Sequence, residues 1–166
     1  MPAVERIAPI IDLTASSIDI TRQLCDIESV SGDERTITDA IVAALSPLEH
    51  LEITRDADAI VARTTHGRTR RVIIAGHTDT VPLNDNLPTR FETEGDVDYL
   101  WGRGTVDMKA GVAVQLKLAA ELAETEVDLT WIWYDNEEVA SDRNGLGRLA
   151  ANRPELLVGD FAILGE

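Results

Sequence analysis

Val72-Ile73-Ile74-Ala75 runs directly into Gly76-His77-Thr78-Asp79, and this junction governs how the rest of the chain is read. Four consecutive apolar residues mark a short strand buried on both faces, the kind found in parallel sheets covered by helices. Two later segments repeat the arrangement. Leu129–Tyr134 runs into Asp135-Asn136-Glu137-Glu138, and the apolar Phe161–Leu164 runs into Gly165-Glu166. Between them lie two helical stretches, Ala110–Leu122, rich in Ala, Leu and Lys, and Asn144–Ala151. Strands alternating with helices predict an α/β/α sandwich with a largely parallel mixed sheet.

Upstream, Ile20, Leu24 and Ile27 have helical spacing from Ser17 onward, with a stop expected at Ser29–Gly32. Ser31-Gly32-Asp33-Glu34 has the form of a capping box opening a second helix through Ile37, Ile41, Val42 and Leu45, ended by Pro47. Leu51–Thr54 and Ala59–Thr64 read as strands around a turn at Asp56–Asp58. The first dozen residues, with Pro2 and Pro9, read as an irregular lead-in. Thr80 to Gly104, punctuated by Pro82, Asn84, Asn86 and Pro88, reads as a long loop with a short strand at Tyr99–Trp101.

The chain has 166 residues, 15 Lys+Arg against 30 Asp+Glu, and a formal net charge of −15. That charge argues against nucleic acid or anionic lipid as a partner, since both need a basic face. With 44% hydrophobic and 27% charged residues, composition fits a soluble globular protein. Cys25 is the single cysteine, which excludes an internal disulfide and a thiolate zinc cage. No apolar run approaches a membrane span and no signal-peptide pattern opens the chain, so a cytoplasmic location is expected.

Ligands of parallel α/β sheets gather at the carboxyl ends of the strands, and here each such end delivers a histidine or acids. The loop Gly102-Arg103-Gly104-Thr105-Val106-Asp107 adds another carboxylate. Imidazole with several carboxylates suits zinc, cobalt or manganese. Each residue taken alone has a plainer explanation. His77 could be a hydrogen-bonded strand-end histidine, Asp79 a turn residue, Asp107 the N-cap of the long helix, and Glu137-Glu138 a solvated pair. Cys25, on an amphipathic helix, reads as core packing. Gly102-Arg103-Gly104 fits neither a P-loop nor a dinucleotide fingerprint. The joint pattern outweighs the separate explanations.

Three stretches carry a resemblance: His77-Thr78-Asp79-Thr80-Val81-Pro82, then Trp101-Gly102-Arg103-Gly104-Thr105-Val106-Asp107-Met108-Lys109-Ala110-Gly111, then Asn136-Glu137-Glu138. With Ser29-Val30-Ser31-Gly32-Asp33-Glu34 before them, they resemble the M20 family of metallohydrolases in order from about Leu13 to Glu166. Trp131–Val139 and Arg143–Gly147 are similar to its actinobacterial succinyl-diaminopimelate desuccinylase branch. The resemblance implies two divalent ions, Zn2+ with Co2+ as the alternative. His77 and Glu166 would hold one ion, Glu138 the other, and Asp107 would bridge them. It further implies Asp79 fixing the His77 ring and Glu137 as general base. The implied reaction splits N-succinyl-LL-2,6-diaminopimelate into succinate and LL-2,6-diaminopimelate. Alternatives are another activity of the family on an N-acyl amino acid or dipeptide (acetylornithine deacetylase, aminoacylase, dipeptidase) and a silent metal-binding or interaction fragment. Members of the family are longer. Residues 1–166 are therefore expected to be the amino-terminal part of a catalytic domain, inactive alone. The lid and dimerisation domain, the carboxy-terminal catalytic segment and a further histidine ligand would be missing, and the full-length form would be a homodimer.

Overall fold

A computed structural model describes residues 9–165, so most of the expected lead-in and all of Glu166 lie outside the described residues. Two helices come first, α1 (Ser17–Cys25) and α2 (Arg35–Leu45). A hairpin follows, β1 (Glu52–Asp56) and β2 (Ala59–Arg63), then β3 (Arg71–His77). A second hairpin, β4 (Arg90–Glu94) and β5 (Val97–Trp101), precedes α3 (Lys109–Glu121). The chain continues through β6 (Asp128–Tyr134), α4 (Gly145–Asn152) and β7 (Phe161–Leu164).

Five strands form one sheet in the order β1-β2-β6-β3-β7. β3 pairs in parallel with both β6 and β7, whereas β2 pairs antiparallel with β1 and β6. The sheet is therefore mixed, with two parallel and two antiparallel pairings. Its parallel half is built by the crossovers through α3 and α4, and its antiparallel half by the tight hairpin around Ala57, which adopts φ +52°.

Period-2 alternation splits the sheet residues cleanly between two cores. Ile60, Ala62, Leu129, Trp131 and Trp133 face α1, α2 and α3, packing on Ile20, Leu24, Ile41 and Leu116. Val61, Ile73, Ala75, Ile132 and Tyr134 face the opposite side, against Leu149 of α4 and Leu156. Helices thus cover both faces, as an α/β/α sandwich requires. Cys25 is fully buried and burial pushes its thiol up to about 11, consistent with core packing. Among the described residues no helix is long and apolar enough to cross a membrane.

Four local expectations are corrected. α1 ends at Cys25, capped by Asp26, well short of Ser29–Gly32. Residues 90–101 form a hairpin outside the main sheet, turned at Gly95 with φ +63°: the short strand expected at Tyr99–Trp101 is the end of β5, but its partner β4 lies where loop was expected. Its apolar residues are half exposed (Phe91 51%, Trp101 44%), so the burial periodicity that marks core strands is weak there. The third correction concerns β7, which is an exposed edge rather than a strand buried on both faces: Phe161 is 64% and Leu164 63% exposed. An apolar run encodes strand propensity, but its place in the sheet is decided by what else packs there. Finally, Asp107 does not cap α3: Met108 occupies the N-cap position, with no side-chain cap bond.

Candidate metal centre

The parallel pairing fixes the stage. β3 and β6 run in register from Arg71↔Asp128 to His77↔Tyr134, so the residues following both strands emerge together at one sheet edge. Thr78 N–H donates to Tyr134 O at 2.9 Å, holding the two exits side by side. On the other side, the α1–α2 loop pairs with the same segment: Thr80 N–H donates to Ser29 O and Ser31 N–H to Thr80 O.

His77 is buried, and both ring nitrogens face carboxylates. Nδ1 lies 3.0 Å from the backbone oxygen of Asp79 and 3.3 Å from its Oδ1. Nε2 points outward, 3.0 Å from Asp107 Oδ1. Burial favours the neutral imidazole, but bonds to Asp79 and Asp107 prevail and hold its pKa up at about 9. One ligand atom each from His77, Asp107 and Glu138 lie within 4.8 Å of one another. Burial and the neighbouring Asp107 charge raise the Glu138 carboxyl above its ordinary range. One imidazole nitrogen and two carboxylates, facing one another across this gap, form a donor set suited to a divalent ion such as zinc.

Asp79 is fully buried and serves the cluster indirectly. Its Oδ1 accepts from Glu137 N–H at 2.9 Å, and its Oδ2 accepts from Glu138 N–H at 3.1 Å and from Ser31 Oγ at 2.7 Å. Burial would raise its pKa, yet these bonds and His77 outweigh that and hold it below the usual carboxylate range. One carboxylate therefore orients the imidazole and anchors the backbone of both glutamates. The two glutamates line different cavities. Glu138 borders one of about 560 Å³, Glu137 a smaller one of about 250 Å³, and Asp107 lines both.

Three supporting residues escaped the sequence reading. Glu34 does not close a capping box with Ser31, whose hydroxyl is committed to Asp79. Its buried Oε1 instead accepts from Gly32 N–H at 2.9 Å and from Asn136 N–H at 3.1 Å. Asn136 adopts φ +58°, an unusual conformation for a non-glycine residue, immediately before Glu137. Lys109 is buried, and its Nζ donates to Leu24 O and Ile27 O at the end of α1. Desolvation lowers its pKa to about 8. Nothing in a local pattern distinguishes these long-range bonds from a helix cap or a solvated lysine.

Asp135 completes the frame. Its carboxylate accepts a two-pronged bond from Arg148 of α4 (2.6 and 3.0 Å), which also reaches Asp56. The exit of β6 is thereby tied to α4 and to the β1–β2 turn.

Known proteins resemble this chain in sequence and in fold. A desuccinylase of Corynebacterium glutamicum, described as succinyl-diaminopimelate desuccinylase, is 46% identical over 163 residues, covering 95% of this chain and 43% of its own. The M20 family metallo-carboxypeptidase Sso-CP2 of Sulfolobus solfataricus superposes with TM-score 0.73 at 16% identity, covering 91% of this chain and 37% of the other. The YXEP protein of Bacillus subtilis, described as a dinuclear metal-binding peptidase of the M20 family, gives TM-score 0.58 at 20% identity, with 89% and 41% covered. The chain spans less than half the length of these relatives. The profile of peptidase family M20/M25/M40 matches residues 73–164, from the strand that delivers His77 through the last strand of the sheet. By that match, the chain belongs to peptidase family M20/M25/M40.

Proposed function

We propose that this chain forms the metal-binding part of an amidohydrolase that releases succinate from N-succinyl-LL-2,6-diaminopimelate. The observation that carries the reading is the His77–Asp107–Glu138 cluster at the strand ends, in a chain 46% identical to a desuccinylase. His77 Nε2, Asp107 and Glu138 would hold the metal, with Asp107 shared between two divalent ions and Glu166 added to the His77 side. Zinc suits these donors, with cobalt as the alternative. Two bound ions would supply Lewis acidity, lowering the pKa of a water molecule toward neutrality.

The remaining work falls to the protein. Asp79 keeps the His77 ring turned so that Nε2 faces the cluster. Glu137 is the general base. Its carboxylate takes a proton from the attacking water and passes it to the departing amine nitrogen as the amide C–N bond breaks, leaving succinate and a free amine. Asp79 fixes the Glu137 backbone, and the separate cavities of Glu137 and Glu138 suit separate duties. A homodimeric whole enzyme is part of the same proposal.

Two variants test the assignment in a zinc-loaded full-length protein that carries this chain as its amino-terminal part. Glu137→Gln keeps the side-chain size but cannot accept the proton, and is expected to cut turnover about 10²–10⁴-fold with metal content unchanged. Glu138→Gln is expected to lose metal. Equal metal loss in both would show the two roles to be wrongly divided. Faster turnover of N-acetylornithine or a dipeptide than of the succinylated substrate would replace the substrate assignment.

A further inference from the structure

The loop that delivers Asp107 contains an arginine that the proposed reaction does not yet use. Arg103 lines the 560 Å³ cavity together with Val81, Tyr99, Trp101, Asp107 and Glu138. Its backbone N–H donates to Asn86 O, but no side-chain nitrogen of Arg103 has an ion-pair or hydrogen-bond partner among the described residues. Its Nε is shut away from solvent with no acceptor. With Nε enclosed, the two terminal nitrogens of the half-buried side chain, unpartnered among the described residues, are the donors left for solvent or a ligand.

The flanking glycines show that the loop is built to hold this position. A Cβ at Gly102 would run into the Thr89 side chain, and one at Gly104 would come within 3.0 Å of Lys109 Cδ and 3.1 Å of Thr80 Cγ2. Gly104 also adopts φ +83°, which an L side chain rarely tolerates. The backbone is thus pressed against its neighbours on both sides of Arg103. The result is a cavity with Tyr99 and Trp101 on its wall, the Asp107 and Glu138 residues along one border, and the Arg103 side chain, unpartnered among the described residues.

We propose that Arg103 is a substrate-binding residue that receives the free carboxylate at the far end of the acyl group, so that this cavity selects ω-carboxyacyl over simple acyl amides. The inference rests on the amidohydrolase reading above and adds a specificity determinant to it. Guanidinium groups match carboxylates through two parallel hydrogen bonds, and an apolar surround strengthens such a pair. Arg103 also offsets the repulsion that Asp107 and Glu138 would exert on an anionic acyl chain.

The test is calorimetric binding of succinate and of butyrate, which lacks the second carboxylate, to the 166-residue protein with and without zinc. Wild-type protein is expected to prefer succinate, and Arg103→Gln to weaken succinate binding about 10- to 100-fold while leaving butyrate binding and zinc stoichiometry unchanged. Arg103→Met, which keeps the apolar stem, carries the same expectation if the glutamine variant does not fold. A loss of succinate affinity below about threefold, or no wild-type preference for succinate over butyrate, overturns the proposal. An Arg103-dependent preference, with no hydrolysis of a succinylated amine by a full-length protein carrying this chain, would uphold this subsite while sinking the desuccinylase reading. Failure to take up zinc alongside that preference would do the same.

Discussion

Replacing Glu34 by alanine or by glutamine separates two things that this buried carboxylate does. Its Oε1 is the acceptor for the backbone N–H groups of Gly32 and Asn136, while its charge is held out of water at 1% exposure. Glutamine retains an acceptor oxygen in the same place and removes the charge. Alanine removes both. Leaving a buried N–H without an acceptor costs about 1–3 kcal/mol, so two orphaned groups put Glu34→Ala about 2–4 kcal/mol below Glu34→Gln after partial hydration. The charge acts in the opposite direction. Burial raises the native pKa of Glu34 above its ordinary value, more than its backbone hydrogen bonds lower it. A raised native pKa contributes stability that is complete below the unfolded pKa of about 4.3 and is lost as pH rises through the native value. Glu34→Gln, which cannot ionise, is therefore expected to gain on the wild type between acid and neutral pH and to equal or exceed it at pH 7. Urea unfolding of all three proteins at pH 5 and pH 8 measures both effects. Should Glu34→Gln lose as much as Glu34→Ala, or the two agree within about 1 kcal/mol, Glu34 is not the acceptor that holds the Asn136 turn.

Asp79→Asn is expected to cost about 2–4 kcal/mol, because an amide nitrogen facing the Glu137 or Glu138 N–H leaves a donor unpaired. It should also weaken zinc binding about 10–100-fold, read by chelator competition. Arg148→Ala leaves Asp135, almost fully buried, without its guanidinium partner, for an expected loss of about 3–5 kcal/mol in denaturant unfolding. Gly145→Ala should destabilise by about 1–3 kcal/mol in the same assay, since the new Cβ would overlap Asp135 Oδ1 and come within 2.8 Å of Asp135 O. Combining Gly145→Ala with Arg148→Ala should cost less than the sum of the two, because both act on Asp135; strict additivity would argue against a shared target.

The sheet strands and helices after residue 70 were legible because their signals are local. The apolar runs Val72–Ala75 and Leu129–Tyr134 encode strand within a few residues, and β3, α3, β6, α4 and β7 form at or within about two residues of the expected bounds. Of the β4–β5 hairpin only the strand ending at Trp101 was legible; β4 was not, since partly exposed residues such as Phe91 lack a core-facing pattern. His77, Asp107 and Glu138 could be named from strand ends and family motifs, and the fold brings them within reach of one another.

What the sequence determined by itself is therefore the chemistry on offer: which side chains can ligate, accept a proton or pack, and which short segments must be strand or helix. Tertiary structure decided where each of them is used. Asp107 carries the residue type of a helix cap but faces His77 Nε2. Ser31 and Glu34 have the spacing of a capping box, yet they bond to Asp79 and to Asn136, 48 and 102 residues away. Local spacing specifies which hydrogen bonds are possible, whereas burial selects among them. A carboxylate or hydroxyl enclosed by the fold must pair with the donors and acceptors that distant strands and loops bring to it, and no window along the chain contains those partners.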